Sequence, residues 1–110
     1  MKTKYLRAEE IIKALTKHND ILKKYKVKKI GLFGSYVRGE HKRRSDIDFL
    51  VAFDMFAFDR NFKGYSDNFM NLQYALEKLL RRKIDLLTEN SISPYIKPYI
   101  MKEVQYLETP

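Results

Sequence analysis

The sequence predicts an α/β (α+β) protein, a small mixed sheet of three or four strands packed by helices. Three observations predict it. Residues 26–33 and 47–53 are short apolar runs holding Val, Ile and Phe, bounded by charged residues or glycine as buried strands are. Ile84-Asp85-Leu86-Leu87 has the same character. Before and between these runs, apolar residues recur at helical spacing. A chain of 110 residues suffices for one compact core and not for two, so residues 1–110 are expected to form a single domain.

Taken in order, residues 6–25 are expected to be helical, with Ala8, Ile11, Ile12 and Leu15 as the apolar stripe and charges opposite. His18-Asn19-Asp20 breaks the run, with Asn19 capping a second short helix through Tyr25. His18 reads as a turn residue. Residues 26–33 form a strand that stops at Gly34, and Tyr36 to Glu40 form a short helix. Residues 47–53 form a fully buried strand. Residues 54–65 show no period and hold Phe56, Phe58, Phe62 and Tyr65; a loop folded onto the core, a partner surface and a lid all fit. Ser66 or Asp67 is expected to cap a helix whose inner face is Phe69, Leu72, Leu76, Leu79 and Leu80. Arg81, Arg82 and Lys83 suit the negative C-terminal end of that helix. Pro94 and Pro98 punctuate the tail, which is expected to end in a short terminal strand.

The chemistry is concentrated in residues 30–53. Side chains alternate along a strand, so Asp46 and Asp48 share one face, roughly 6–7 Å apart along the chain. Both carboxylates can then approach one divalent ion, or two held side by side. Upstream, Gly34 gives a tight turn with close backbone approach, and Ser35 adds a hydroxyl where a helix would begin, a setting that suits an anion. Arg38, Lys42, Arg43 and Arg44 add positive charge nearby. An anion cradle placed before an Asp-x-Asp pair suggests metal-assisted phosphoryl or nucleotidyl transfer. It is not a P-loop, because Glu40-His41 follow where Lys-Ser/Thr is required. Asp85 interrupts an apolar strand; the residues alone leave open a paired or metal-bound carboxylate and an exposed strand end.

The joint pattern Gly34-Ser35, Arg38-Gly39, Ser45-Asp46-Ile47-Asp48 and Leu50-Val51 resembles the signature of the DNA polymerase β-like nucleotidyltransferases. At this length the chain is similar to the minimal nucleotidyltransferases, the antitoxin halves of HEPN/MNT toxin–antitoxin pairs. The resemblance extends to the leading helices, the Lys-Ile-Asp-Leu-Leu strand and the Lys-Pro-Tyr-Ile tail. It implies the nucleotidyltransferase fold, with three carboxylates at one edge of the sheet facing the Gly-Ser turn. It also implies that Asp46, Asp48 and Asp85 bind two Mg²⁺ and that Gly34, Ser35 and Arg38 hold the phosphates of ATP. The reaction implied is AMP transfer to a tyrosine of a HEPN toxin. Val37 stands where many relatives carry Ala, and Arg81 where they often carry Gly. All three carboxylates are present, which favours an active enzyme over a degenerate copy.

Composition narrows the alternatives. The chain is 45% apolar and 33% charged, and no apolar run reaches the ~20 residues that span a bilayer. The first ten residues lack an apolar signal core, so a cytoplasmic, non-membrane protein is expected. With no cysteine and only His18 and His41, disulfide and thiolate–zinc chemistry are excluded. A net charge of +8 calls for an acidic partner: nucleotide, nucleic acid or protein. Two other functions stand beside the enzyme. One is a non-catalytic antitoxin that binds its toxin through the Phe56–Tyr65 segment. The other, the weaker, is a nucleic-acid-binding domain, since no base-reading motif accompanies the charge. Dimerisation stays open.

Overall fold

The structure is a computed structural model that describes residues 6–61 and 63–107. Its centre is a four-stranded mixed sheet in the order β3-β2-β1-β4. Two helices lead in, α1 (Ala8–Lys17) and α2 (Asn19–Lys24). Strand β1 (Val27–Phe33) ends at the Gly34 turn, followed by α3 (Ser35–Arg38). Strand β2 (Ile47–Phe53) returns antiparallel to β1, with Phe33 opposite Asp48 and Gly31 opposite Leu50. A 3₁₀ turn (Met55–Ala57) and the long helix α4 (Tyr65–Leu80) then carry the chain over to β3 (Ile84–Leu87), parallel to β2. After α5 (Lys97–Glu103), the short β4 (Gln105–Tyr106) pairs antiparallel with β1.

Alternation along the central strands divides the core between two faces. Leu32, Ile47, Phe49, Val51, Ile84 and Leu86 point to one side and pack with Ile11, Leu15 and Leu22 of the leading helices and Leu72, Leu76 and Leu80 of α4. Phe33 and Leu50 point to the other side and pack with Ile92 and Ile100, with Leu87, Val104 and Tyr106 around them. Because β2 is covered on both faces, its sequence is an apolar run rather than an alternating one. Asp48 lies between Phe49 and Ile47 in sequence and therefore on the Leu50 face, the one α5 covers.

Two polar devices fix the helices to the sheet. Asn68, buried on α4, donates through Nδ2 to the Tyr25 carbonyl (2.8 Å). Gln73 Nε2 donates to the Ile84 carbonyl (2.9 Å), and the Ile84 N–H donates to Glu77 Oε2 (3.2 Å). Strand β3 lies at the sheet edge, so these bonds satisfy backbone groups that would otherwise face outward.

Three boundaries differ from expectation. Asn19 is the first residue of α2 rather than its cap; His18 holds the cap position and also ends α1. Helix α3 stops at Arg38 because Gly39 turns left-handed (φ 73°). Helix α4 starts at Tyr65, ahead of Ser66 and Asp67, because Gly64 (φ 82°) makes the reversal that leads into it. The aromatic segment also divides. Phe58 and Tyr65 pack edge to face (5.4 Å between centroids) against the core, Phe56 is fully exposed, and Phe62 lies outside the described residues.

Candidate active site

Asp48 and Asp85 lie on the α5 face of the sheet, and Asp46 is near enough for its charge to act on Asp48. Asp46 is exposed just before β2, Asp48 is half-buried on it, and Asp85 is exposed on β3 directly across from Asp48 in register. Opposite residues of paired strands point to one face, so Asp48 and Asp85 share it. Asp85 thus stands at an accessible strand position. Its height is set by the two α4 bonds to Ile84 and by the Ile47 N–H, which donates to the Lys83 carbonyl (2.9 Å).

Asp48 feels this crowding. Its pKa is pushed from 3.8 to about 6, first by burial, then by the negative charges of Asp85 and Asp46; Glu103 adds to the shift and Arg38 opposes it. The Gly34 turn lies directly against the carboxyl. A Cβ on Gly34 would collide with Asp48 Oδ2, and Gly34 is left-handed (φ 83°) besides. Only glycine fits there.

Arg38 stands beside the turn. Its Nε donates to Glu40 Oε1 (2.9 Å), and its Nη1 donates to both carboxylate oxygens of Glu103 (3.0 and 3.1 Å). Hydrogen bonds to Glu40 and then Glu103 raise its pKa. The Gly34 N–H donates to Glu103 Oε2 (2.7 Å). Sequence reasoning missed Glu103 altogether; a single acid at the end of a tail helix carries no local signal. Lys42, Arg43 and Arg44 are exposed on a turn closed by Ser45, whose Oγ accepts from the Lys42 N–H (2.7 Å).

These residues pass a chemical test for a divalent metal. The donors are all oxygen, they concentrate negative charge on a half-buried carboxyl, and glycine leaves the space beside Asp48 Oδ2 free of side chain. Among the described residues no group of three or more acids or histidines is already drawn to metal-cage spacing. Asp48 and Asp85 share a face, with Asp46 just upstream, and the three do not close on one point. An open groove of about 830 Å³ lies elsewhere, lined by Arg7, Glu10, Tyr36, Gly39 and His41, and holds none of the three acids.

Residues 15–107 match the nucleotidyltransferase domain family. A Methanocaldococcus jannaschii protein, provisionally named a protein adenylyltransferase, is 47% identical over 100 residues, covering 89% of this chain and 95% of its own. Protein adenylyltransferase MntA of Thermococcus cleftensis is 37% identical over 103 residues, covering 93% and 97%. Among solved structures, a provisionally assigned minimal nucleotidyltransferase shares the fold, with a TM-score of 0.71 at 23% identity, covering 94% of this chain and 98% of that one. A toxin–antitoxin crystal structure with AMP-PNP has a TM-score of 0.61 at 26% identity, covering 86% of this chain and 72% of that one. Among the described residues no helix is long and apolar enough to cross a membrane.

Proposed function

The chain belongs to the nucleotidyltransferase domain family, and from that membership we propose that it transfers AMP from ATP to a tyrosine hydroxyl of a HEPN toxin and so acts as an antitoxin. The observation that carries this reading is the contact between the glycine turn and the acids: Gly34 lies against Asp48, Asp85 stands across from Asp48 in register, and the charge of Asp46 acts on it. Three supports stand behind it: the close adenylyltransferase relatives, the toxin–antitoxin neighbour with AMP-PNP, and the joint sequence pattern.

In this reading Asp46, Asp48 and Asp85 hold two Mg²⁺. Bound there, magnesium would supply Lewis acidity toward the acceptor hydroxyl and the pyrophosphate leaving group. Gly34, Ser35 and Arg38 hold the outer phosphates and align ATP so that its α-phosphorus faces the acceptor. The tyrosine oxygen attacks that phosphorus, the O–Pα bond forms, and the bond to the bridging oxygen breaks to release pyrophosphate. Asp85, exposed at the sheet edge, accepts the phenolic proton. Its position suits this role, since a macromolecular acceptor has to reach it from solvent. Residues 1–110 act together as one domain in this reading.

The test is label transfer. With Mg²⁺ and α-labelled ATP, the wild-type protein should label its toxin, and Asp48→Ala should abolish labelling with an unchanged circular dichroism spectrum. Equal labelling by both would discard the site. Full exposure of Phe56, beside the exposed Met55, favours a second contribution: a binding surface that holds the toxin independently of chemistry. Rescue of toxin-expressing cells by the Asp46→Asn/Asp48→Asn variant at equal expression would show that binding alone suffices.

A further inference from the structure

We propose that Glu103 is a built-in anion that occupies the nucleotide's phosphate cradle and has to swing out before a triphosphate can bind. The inference rests on the assignment of Gly34 and Arg38 to the phosphates of ATP.

The carboxylate of Glu103 makes the contacts a phosphate group would make. It accepts from the Gly34 N–H at 2.7 Å and from Arg38 Nη1 at 3.0 and 3.1 Å, spanning 69 and 65 residues of sequence. Such charge-assisted bonds are the strong class. A backbone amide has one hydrogen, so a phosphate oxygen can take the Gly34 N–H only when Glu103 Oε2 gives it up. Two of the three nitrogens of Arg38 are engaged as well, Nε by Glu40 at 2.9 Å and Nη1 by Glu103. The positive charge of the cradle is therefore masked by acids of the protein itself.

Release needs little of the fold to move. Glu103 is the last residue of α5, and the chain just beyond it is anchored. Val104 and Tyr106 sit over Gly31, where an added Cβ would come within 2.6 and 2.8 Å of them, and the Leu107 N–H donates to the Ile30 carbonyl (2.9 Å). The absence of a side chain at Gly31 is what lets this segment lie close enough for Glu103 to reach the turn. With its backbone fixed, the flexible Glu103 side chain, 22% exposed, rotates away towards solvent. A ligand whose competent site is open only part of the time binds more weakly by that fraction. A cradle closed nine-tenths of the time binds about tenfold more weakly than an open one, ~1.4 kcal/mol. Ligands carrying several phosphates, which replace all the contacts of Glu103 at once, are favoured over single anions.

The experiment is calorimetric titration of inorganic tripolyphosphate and of Mg·ATP into wild type, Glu103→Gln and Glu103→Ala. Both variants should bind tripolyphosphate about five- to tenfold more tightly, alanine at least as strongly as glutamine. Unchanged or weaker binding in both would overturn the proposal and make Glu103 a residue that merely holds Arg38 in place. In the wild type, saturating tripolyphosphate should shift the NMR signals of the Gly34 amide and the Glu103 carboxyl carbon together. A Gly34 shift with the Glu103 carboxyl unmoved would also overturn it. Arg38→Gln separates this inference from the reading beneath it. If that variant leaves tripolyphosphate binding unchanged, the cradle is misassigned and the latch falls with it. If it weakens binding while the Glu103 variants tighten nothing, the latch alone is wrong.

Discussion

Asp48→Asn should stabilise the metal-free protein near pH 7.5 while removing its activity. The reasoning starts from a carboxyl whose pKa rises from 3.8 to about 6 on folding, chiefly through burial and then through Asp85 and Asp46. Between those values the folded chain binds a proton that the unfolded chain has released. Stability therefore falls as pH rises through roughly 4 to 6, and the whole penalty is present above that window. Fully transmitted, a shift of about two units would cost roughly 3 kcal/mol. Asp48 is half in solvent, so screening leaves about 1 kcal/mol. Asparagine keeps the shape and removes the charge. Thermal melts in EDTA should place the variant about 4–8 °C above wild type near pH 7.5, with the gap closing near pH 4. Adding Mg²⁺ should raise the wild-type melting point more than the variant's, because only the intact acid set binds the ion well. A variant that melts at or below wild type at both pH values would refute the electrostatic account of this site.

Three more outcomes are expected. Arg81 ends α4 in the left-handed region (φ 55°), so Arg81→Gly should raise stability by about 1 kcal/mol in urea denaturation. Gly31→Ala would press a methyl into Val104 and Tyr106, and should lower stability by roughly 1–3 kcal/mol with loss of β4 amide protection in hydrogen exchange. Asp85→Asn should leave Mg·ATP affinity within about tenfold, or ~1.4 kcal/mol, while single-turnover transfer falls far more, since the base is lost and the triphosphate contacts are kept.

The strands and the long helix were legible because their burial writes a local period into the sequence. Leu72, Leu76 and Leu80 mark the inner face of α4, and Ile47 to Phe53 mark a strand covered on both sides. The Gly34 turn and the Asp46–Asp48 spacing were legible for the same reason, being properties of adjacent residues. Glycine conformations were harder to use: Gly64 moves the start of α4 ahead of Ser66 and Asp67, which look like caps only when that turn is ignored. Asp85 needed the register of β3 against β2 before its exposure and its place across from Asp48 could be read. Glu103 was hidden entirely. It reaches Gly34 across 69 residues, by way of a β4 strand of two residues and a close approach over Gly31. The basic run Lys42 to Arg44 lies exposed on a turn closed by Ser45, a placement that charge in the sequence alone could not give.

The central claim is that the acid set moves AMP onto a partner rather than merely holding that partner. Intact-mass spectrometry of the toxin, incubated with ATP, Mg²⁺ and either the wild-type protein or Asp46→Asn/Asp48→Asn, measures this directly. The account predicts whole AMP increments on toxin tyrosine with the wild type, and an unmodified toxin with the double variant although the complex still forms. A toxin silenced by the wild-type protein with its mass unchanged would contradict it.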